Sequence, residues 1–341
     1  MKKIAVALLA LLLLVAILPA CSSGPVLRVY NWEDYIDPAI IRDFTKDTGI
    51  RVKYINFTDN EIMYTQLKNP TGTYDVVFPS DYMIERMIRE DMLAPLDYSA
   101  IPNFANLADF TCDRVFDEGN RYSVPYMWGT LGILYNKTKV TGDIDSWDCL
   151  WDETYRDQII MIDSYRDAIG IAMVRAGYPL NDWSDEGLAA AKAQLLQQRP
   201  LLQSYQLDMA KTLMKNNAAA LAVVYSGDAA TSISENDDLW YVTPKEGTNI
   251  WFDNMVVMKN STMQAEAMQF IDYLCREDIA ERNAAYIGYF SPIEGITEGL
   301  IEEGELPDLL PTEEQMENMD IFRDAGDRMA EFDKTWTAVK G

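Results

Sequence analysis

The stretch from Val26 to Phe57 constrains the fold more than any other. Val26–Trp32 alternates as a strand does. Asp37-Pro38 is a strong helix start, a capping side chain followed by proline in the first turn. Ile40, Ile41 and Phe44 supply an apolar helix face, and Gly49 suits the position just past the helix end. Ile50–Phe57 then reads as a second strand. Joining two strands through a helix makes them parallel. The rhythm recurs along the chain. Helices are expected at Asn60–Lys68 and Asp81–Arg89 around a strand at Tyr74–Phe78. Ser123–Tyr135 is extended and apolar, as a crossing into a second lobe would be. Beyond it, strands are expected at Gln158–Asp163, Ala219–Tyr225, Leu239–Val242 and Asn249–Met258. Helices are expected at Ala168–Ala176, Asp185–Gln198, Asp208–Lys215 and Met263–Leu274, with a mostly helical acidic tail from Glu313 to Lys340. The expected class is α/β, in two lobes without a flexible linker and with a cleft between them.

Length agrees with two lobes, because 341 residues exceed one typical core even after a leader is removed. That leader is MKKIAVALLALLLLVAILPACSSG. Lys2 and Lys3 precede an apolar run, Ile4–Leu18, that is too short to span a bilayer and reads as a signal peptide over residues 1–21. Its ending, Leu-Pro-Ala-Cys, resembles the lipobox of bacterial lipoproteins, with Cys21 as the lipidated residue; an ordinary cleaved signal is the alternative. Either way an exported protein is expected, periplasmic or on the outer face of the cytoplasmic membrane. The formal charge of -25 argues against nucleic acid, which needs a basic surface. No CxxC occurs among Cys112, Cys149 and Cys275, which argues against a metal site; a Cys112–Cys149 bridge is compatible with export. The chain has no histidine, which excludes Ser-His-Asp and Cys-His catalysis and histidine-ligated zinc. Neither GxxxxGK[ST] nor GxGxxG is present, and no cofactor is expected.

In open α/β sheets ligands bind beyond the carboxyl ends of the strands. Those ends carry Trp32-Glu33-Asp34-Tyr35, Pro79-Ser80-Asp81-Tyr82, Asp163-Ser164-Tyr165-Arg166-Asp167 and Tyr225-Ser226-Gly227-Asp228. Trp251-Phe252-Asp253 adds a fifth pairing of ring and acid, inside an expected strand. Singly, each has a plain structural reading: Asp34 or Asp81 as a helix cap, Tyr225 or Trp251 as core, Arg166 as a neutraliser of Asp163 or Asp167. Their agreement in position is the functional signal. A desolvated ammonium needs a hydrogen-bonded counter-charge. A ring face adds about 0.5–2 kcal/mol to a cation and also packs on methylenes. Carboxylates at nitrogens and rings along a carbon chain are what a linear polyamine requires.

The chain resembles the periplasmic spermidine/putrescine-binding proteins of polyamine ABC transporters. The resemblance runs from "LRVYNWEDYI" through "FTKDTGIRVKY", "YDVVFPSDYMIERM", "NFANL", "YSVPYMWGTLGILYN" and "PKEGTNIWFDN" to "YIGYFSP". It implies a two-lobed type II periplasmic-binding-protein fold, with 26–130 plus 254–297 as one lobe and 131–253 plus 298–341 as the other. It also implies a non-catalytic, monomeric protein that takes polyamine in the cleft and hands it to the permease and ATPase subunits of an ABC importer. Carried over by position, Trp32, Glu33, Asp34 and Tyr35 form the first wall. Ser80, Tyr82, Asp167, Tyr225, Asp228, Trp251, Asp253 and Tyr289 complete the ligand set. Ser164 stands where spermidine-preferring members carry an aspartate, and Phe322 or Arg323 falls where they have a glutamine. The Ser164 departure, with the putrescine-type Ser226-Gly227-Asp228 loop, implies putrescine binding at least comparable to that of spermidine. The competing readings are a sugar-binding protein and an exported carboxylate-dependent glycosidase.

Overall fold

The computed structural model describes residues 26–69 and 72–341. The leader and Cys21 lie outside them. The opening unit forms as its caps dictate. β1 (Val26–Trp32) and β2 (Arg51–Phe57) pair in parallel in continuous register. Between them α1 (Pro38–Thr48) starts at Asp37, whose carboxylate accepts from the Ala39 amide, and stops at Gly49 with φ 75°. Ile40 and Phe44 carry the buried face. β2 is the sheet edge, and its exposed Arg51 and Lys53 suit an edge that must not recruit another chain.

α2 (Asn60–Lys68), β3 (Val76–Val77) and α3 (Asp81–Arg89) follow. The expected strand at Tyr74–Phe78 forms a ladder only at Val76 and Val77, squeezed between β1 and a later antiparallel strand. β4 (Ser123–Asn136) then runs through the middle of the molecule, buried at every residue but Tyr135. β5 (Ile159–Ile162), α4 (Tyr165–Arg175), α5 (Asp185–Gln198), β6 (Leu202–Gln206), α6 (Met209–Lys215), β7 (Leu221–Tyr225), α7 (Ser226–Glu235) and β8 (Leu239–Val242) build the second half. β9 (Ile250–Val257) returns to the first half, followed by α8 (Gln264–Leu274), α9 (Glu277–Ile287), α10 (Ile296–Glu302), α11 (Glu313–Glu317) and α12 (Met329–Lys340). The acidic tail is mostly helical, as two helices joined by irregular chain.

The strands follow the order β2-β1-β3-β9-β4-β7-β5-β6, with β8 also on β4. β4 changes partners midway: Ser123–Thr130 pairs with β9, and Leu131–Tyr135 pairs with β7. Gly129 sits at that change, where an added Cβ would lie 2.6 Å from both Ser226 Oγ and the Trp251 ring. Only a residue without a side chain lets these strands approach. Separate apolar cores lie under each half. One gathers Ile40, Phe44, Phe270 and Ile271, and another gathers Trp147, Ile169, Leu195 and Trp336. Burial at this scale, at about 25 cal/mol per Å² of apolar surface, supplies the main drive to fold. Cys112, Cys149 and Cys275 are free thiols, so the Cys112–Cys149 bridge does not form. Among the described residues no helix is long and apolar enough to cross a membrane.

Candidate functional site

The change of partner along β4 brings β9 to the middle of the molecule, and Asp253 sits on β9 there, bridged to Ser80 of the turn before α3. Asp253 is buried. Its Oδ1 accepts from Ser80 Oγ at 2.6 Å and its Oδ2 from the Tyr35 hydroxyl at 2.9 Å. Each donor is held in turn. Asn60 Nδ2 donates to Ser80 Oγ at 3.0 Å. Tyr126 donates to the Tyr35 carbonyl at 2.5 Å, and Asn283 Nδ2 donates to the Tyr126 hydroxyl at 2.8 Å. Burial pushes the Asp253 carboxyl up to about 6, against the downward pull of these two hydroxyl donors. No lysine or arginine among the described residues forms an ion pair with it. The result is a buried acid, still mostly ionised at neutral pH, with no protein cation.

A second buried acid comes from the other half of the sheet. Ser164 caps α4 by accepting from the Asp167 amide at 3.4 Å. This fixes Asp167 in the first turn, where its Oδ2 accepts from the Tyr225 hydroxyl at 2.8 Å. Burial raises its pKa, and the Ser164 and Tyr225 hydrogen bonds oppose that rise. Arg166 turns away from both acids that the sequence offered it. Its guanidinium lies 3.5 Å from the Tyr82 ring centre and 3.5 Å from Glu61, while Asp163 pairs with Lys340 at 2.6 Å. The sequence puts Arg166 beside Asp163 and Asp167, but helical geometry points neighbouring side chains in different directions.

Rings join the two acids. Tyr35 meets Tyr289 at 5.6 Å between centroids, Tyr289 meets Trp251 at 5.1 Å, and Trp251 meets Tyr225 at 5.9 Å, all edge to face. Tyr35 and Tyr225 thus each carry an acid at their hydroxyl ends. The Trp251 indole N–H is buried with no partner among the described residues. Tyr289 rests on Gly227, where an added Cβ would lie 2.4 Å from the ring. The next residue, Asp228, has its Oδ1 3.0 Å from Lys211 Nζ.

The remaining candidates stand less directly in this cluster. Trp32 packs on Phe57 at 4.6 Å and donates its indole N–H to the Phe78 carbonyl at 2.9 Å. Glu33 and Asp34 are exposed, and Asp34 adopts a left-handed φ of 49°. Tyr82 is partly exposed, with one ring face under Arg166. Asp81 is a structural tie: it accepts from the Phe252 amide at 3.1 Å, and burial pushes it up to about 8. Phe322 packs near Arg166, and Arg323 is drawn off to Glu85 at 2.5 Å. Asn60, Glu61, Tyr126, Lys211 and Asn283 were missed by sequence reasoning. Asn60 and Lys211 look like an ordinary helix start and an ordinary helix surface, so no local signal marks them.

The chain is similar to known proteins in both sequence and structure. Residues 39–306 match the family model described as bacterial extracellular solute-binding protein. The chain is 33% identical over 273 residues to the spermidine/putrescine-binding periplasmic protein of Salmonella typhimurium, covering 80% of this chain and 78% of that one. It is 30% identical over 366 aligned positions to the putrescine-binding periplasmic protein SpuD of Pseudomonas aeruginosa, covering 100% and 99%. Among solved structures, the spermidine/putrescine ABC transporter substrate-binding protein PotD of Streptococcus pneumoniae superposes with a TM-score of 0.83 at 37% identity, covering 93% of this chain and 99% of that one. The two-lobed solute-binding fold is thereby established, and the chain belongs to the bacterial extracellular solute-binding protein family.

Proposed function

We propose that this protein captures polyamines outside the cytoplasm and delivers them to the permease and ATPase subunits of an ABC importer, binding without catalysis. The carrying observation is Asp253: a buried carboxylate with two hydroxyl donors, a wall of rings and no ion-pair partner among the described residues. An isolated buried charge is costly, and an incoming ammonium offsets that cost. Asp167 and Tyr225 repeat the arrangement from the other half, so the two acids are read as anchors for two nitrogens. Tyr35, Trp251 and Tyr289 are read as walls along the carbon chain, and Ser80 as a further polar contact. Trp32, Glu33, Asp34 and Tyr82 are assigned to the rim, and Asp228 to the end beside Tyr289.

The lobes are read as meeting along β4 and β9, with chain crossings at 130–131 and near 253–254. Burial of Leu300 and Leu306 in the core that contains Phe44 supports a third crossing after Leu306 rather than at 297–298. The protein is read as a monomer anchored to the membrane through lipidated Cys21. Release of a Cys21→Ala variant into soluble fractions no greater than that of wild type would refute the anchor. The test of function is calorimetry with putrescine, spermidine, maltose and an oligosaccharide. Binding of either amine and neither sugar is expected; the reverse pattern overturns the reading.

A further inference from the structure

Three acids touch the ring cluster, and they are not equivalent. Asp253 and Asp167 accept only from hydroxyl and amide donors. Asp228 alone has a protein ammonium, Lys211 Nζ, at 3.0 Å. The pair joins α6 to the first turn of α7, directly beside Tyr289, whose phenol is pushed well up by burial first and then by Asp228 and Asp253. The acids whose charge reaches Lys211 are Asp228, Asp208 and Asp34. Asp208 stands at 4.0 Å and is nearly fully exposed. Together these acids raise the Lys211 pKa against the opposing effect of burial, so the side chain stays cationic throughout the physiological range.

We infer that Lys211 sets ligand length: its ammonium uses the counter-charge of Asp228, leaves Asp253 and Asp167 as the acids of the ring cluster that form no ion pair among the described residues, and so fits the site to a linear diamine over a triamine. A third ligand nitrogen reaching Asp228 would have to displace Lys211, or stay buried without a counter-charge beside a fixed like charge. Both alternatives are costly. Asp228 then acts as the clamp of Lys211 and Tyr289 rather than as an anchor for ligand. This rests on the polyamine reading given above.

The experiment is calorimetry with putrescine and spermidine on wild type, Lys211→Met, Lys211→Gln, Asp228→Asn and Lys211→Met/Asp228→Asn, each checked for folding by thermal melting. Lys211→Met keeps the methylene stem and removes the ammonium, so it exposes the Asp228 charge without opening a gap. The ratio of spermidine to putrescine affinity is expected to rise by about tenfold or more in Lys211→Met, and in the double variant to return to within about threefold of wild type. Asp228→Asn alone strips Lys211 of its counter-charge beside the ligand and is expected to weaken both amines. A merely structural lysine would weaken both ligands alike and leave the ratio unmoved. If both Lys211 variants fold and keep the ratio within about threefold of wild type, the inference is wrong while polyamine binding stands. A loss of putrescine affinity beyond about tenfold in the double variant, where no unpaired lysine remains, also overturns it, by making Asp228 a direct anchor. If wild type binds neither amine, the inference and the polyamine reading fall together.

Discussion

Replacing Asp253 with asparagine should move stability and affinity in opposite directions. In the ligand-free protein, burial lifts this carboxyl from 3.8 to about 6. That shift makes its ionised form cost about 3 kcal/mol at neutral pH relative to the unfolded chain. An amide removes the charge and keeps the shape. Its oxygen can still accept from Ser80, and its nitrogen can donate to Tyr35 once that hydroxyl turns to accept. Allowing about 1 kcal/mol for weaker hydrogen bonds, Asp253→Asn should gain roughly 1–2 kcal/mol of stability without ligand. Binding changes the sign. The lost contact is a buried, charge-assisted one, so affinity should fall by about 2–4 kcal/mol, or roughly 30- to 1000-fold. Urea unfolding of the ligand-free proteins and calorimetry with putrescine and spermidine measure the two quantities separately. An affinity loss below about tenfold, or a ligand-free variant less stable than wild type by 1 kcal/mol or more, would refute the assignment.

Other consequences are open to simpler assays. Asp253 and Asp81 both have folded pKa values above their unfolded ones, about 6 and about 8, so the native state retains protons that the unfolded chain has lost. Stability without ligand should therefore fall as pH rises from about 4 to about 8, and saturating polyamine should restore more of it at pH 8 than at pH 5; equal melting temperatures across that range would contradict this. Tyr225→Phe removes the donor to Asp167 and should weaken amine binding by roughly three- to tenfold with little change in fold, as calorimetry and thermal melting would show. Ser164→Asp keeps a capping side chain and adds a carboxylate beside Asp167, so calorimetry should show the affinity ratio shifting towards spermidine. Closure of the lobes on ligand should appear in small-angle scattering as compaction on adding polyamine; an unchanged radius of gyration would count against it.

What was legible in the sequence depended on how local the physics was. Asp37 and Gly49 bracket α1 as caps do, and the alternation of β1 and β2 needs no partner to be recognised. β6 was invisible because it follows the turn Arg199–Leu201 directly and is half exposed, without a clean alternation. α7 was hidden because Ser226-Gly227-Asp228 has turn-like chemistry; the helix begins there without a side-chain cap, with Gly227 under the Tyr289 ring. The same division holds at the site. Rings and acids at strand ends could be gathered from the fold rule alone. Their partners could not: Lys211 on Asp228, Arg166 on Tyr82 and Glu61, and Asn60 behind Ser80 are tertiary pairings between ordinary-looking helix residues.

The most direct measurement is a crystal structure of the protein grown with putrescine. One elongated ligand is expected, with its two nitrogens within about 3 Å of Asp253 and Asp167, its methylenes against Trp251 and Tyr289, and Lys211 still paired with Asp228. A ligand bound away from Asp253, or a nitrogen seated on Asp228 with Lys211 displaced, would contradict it.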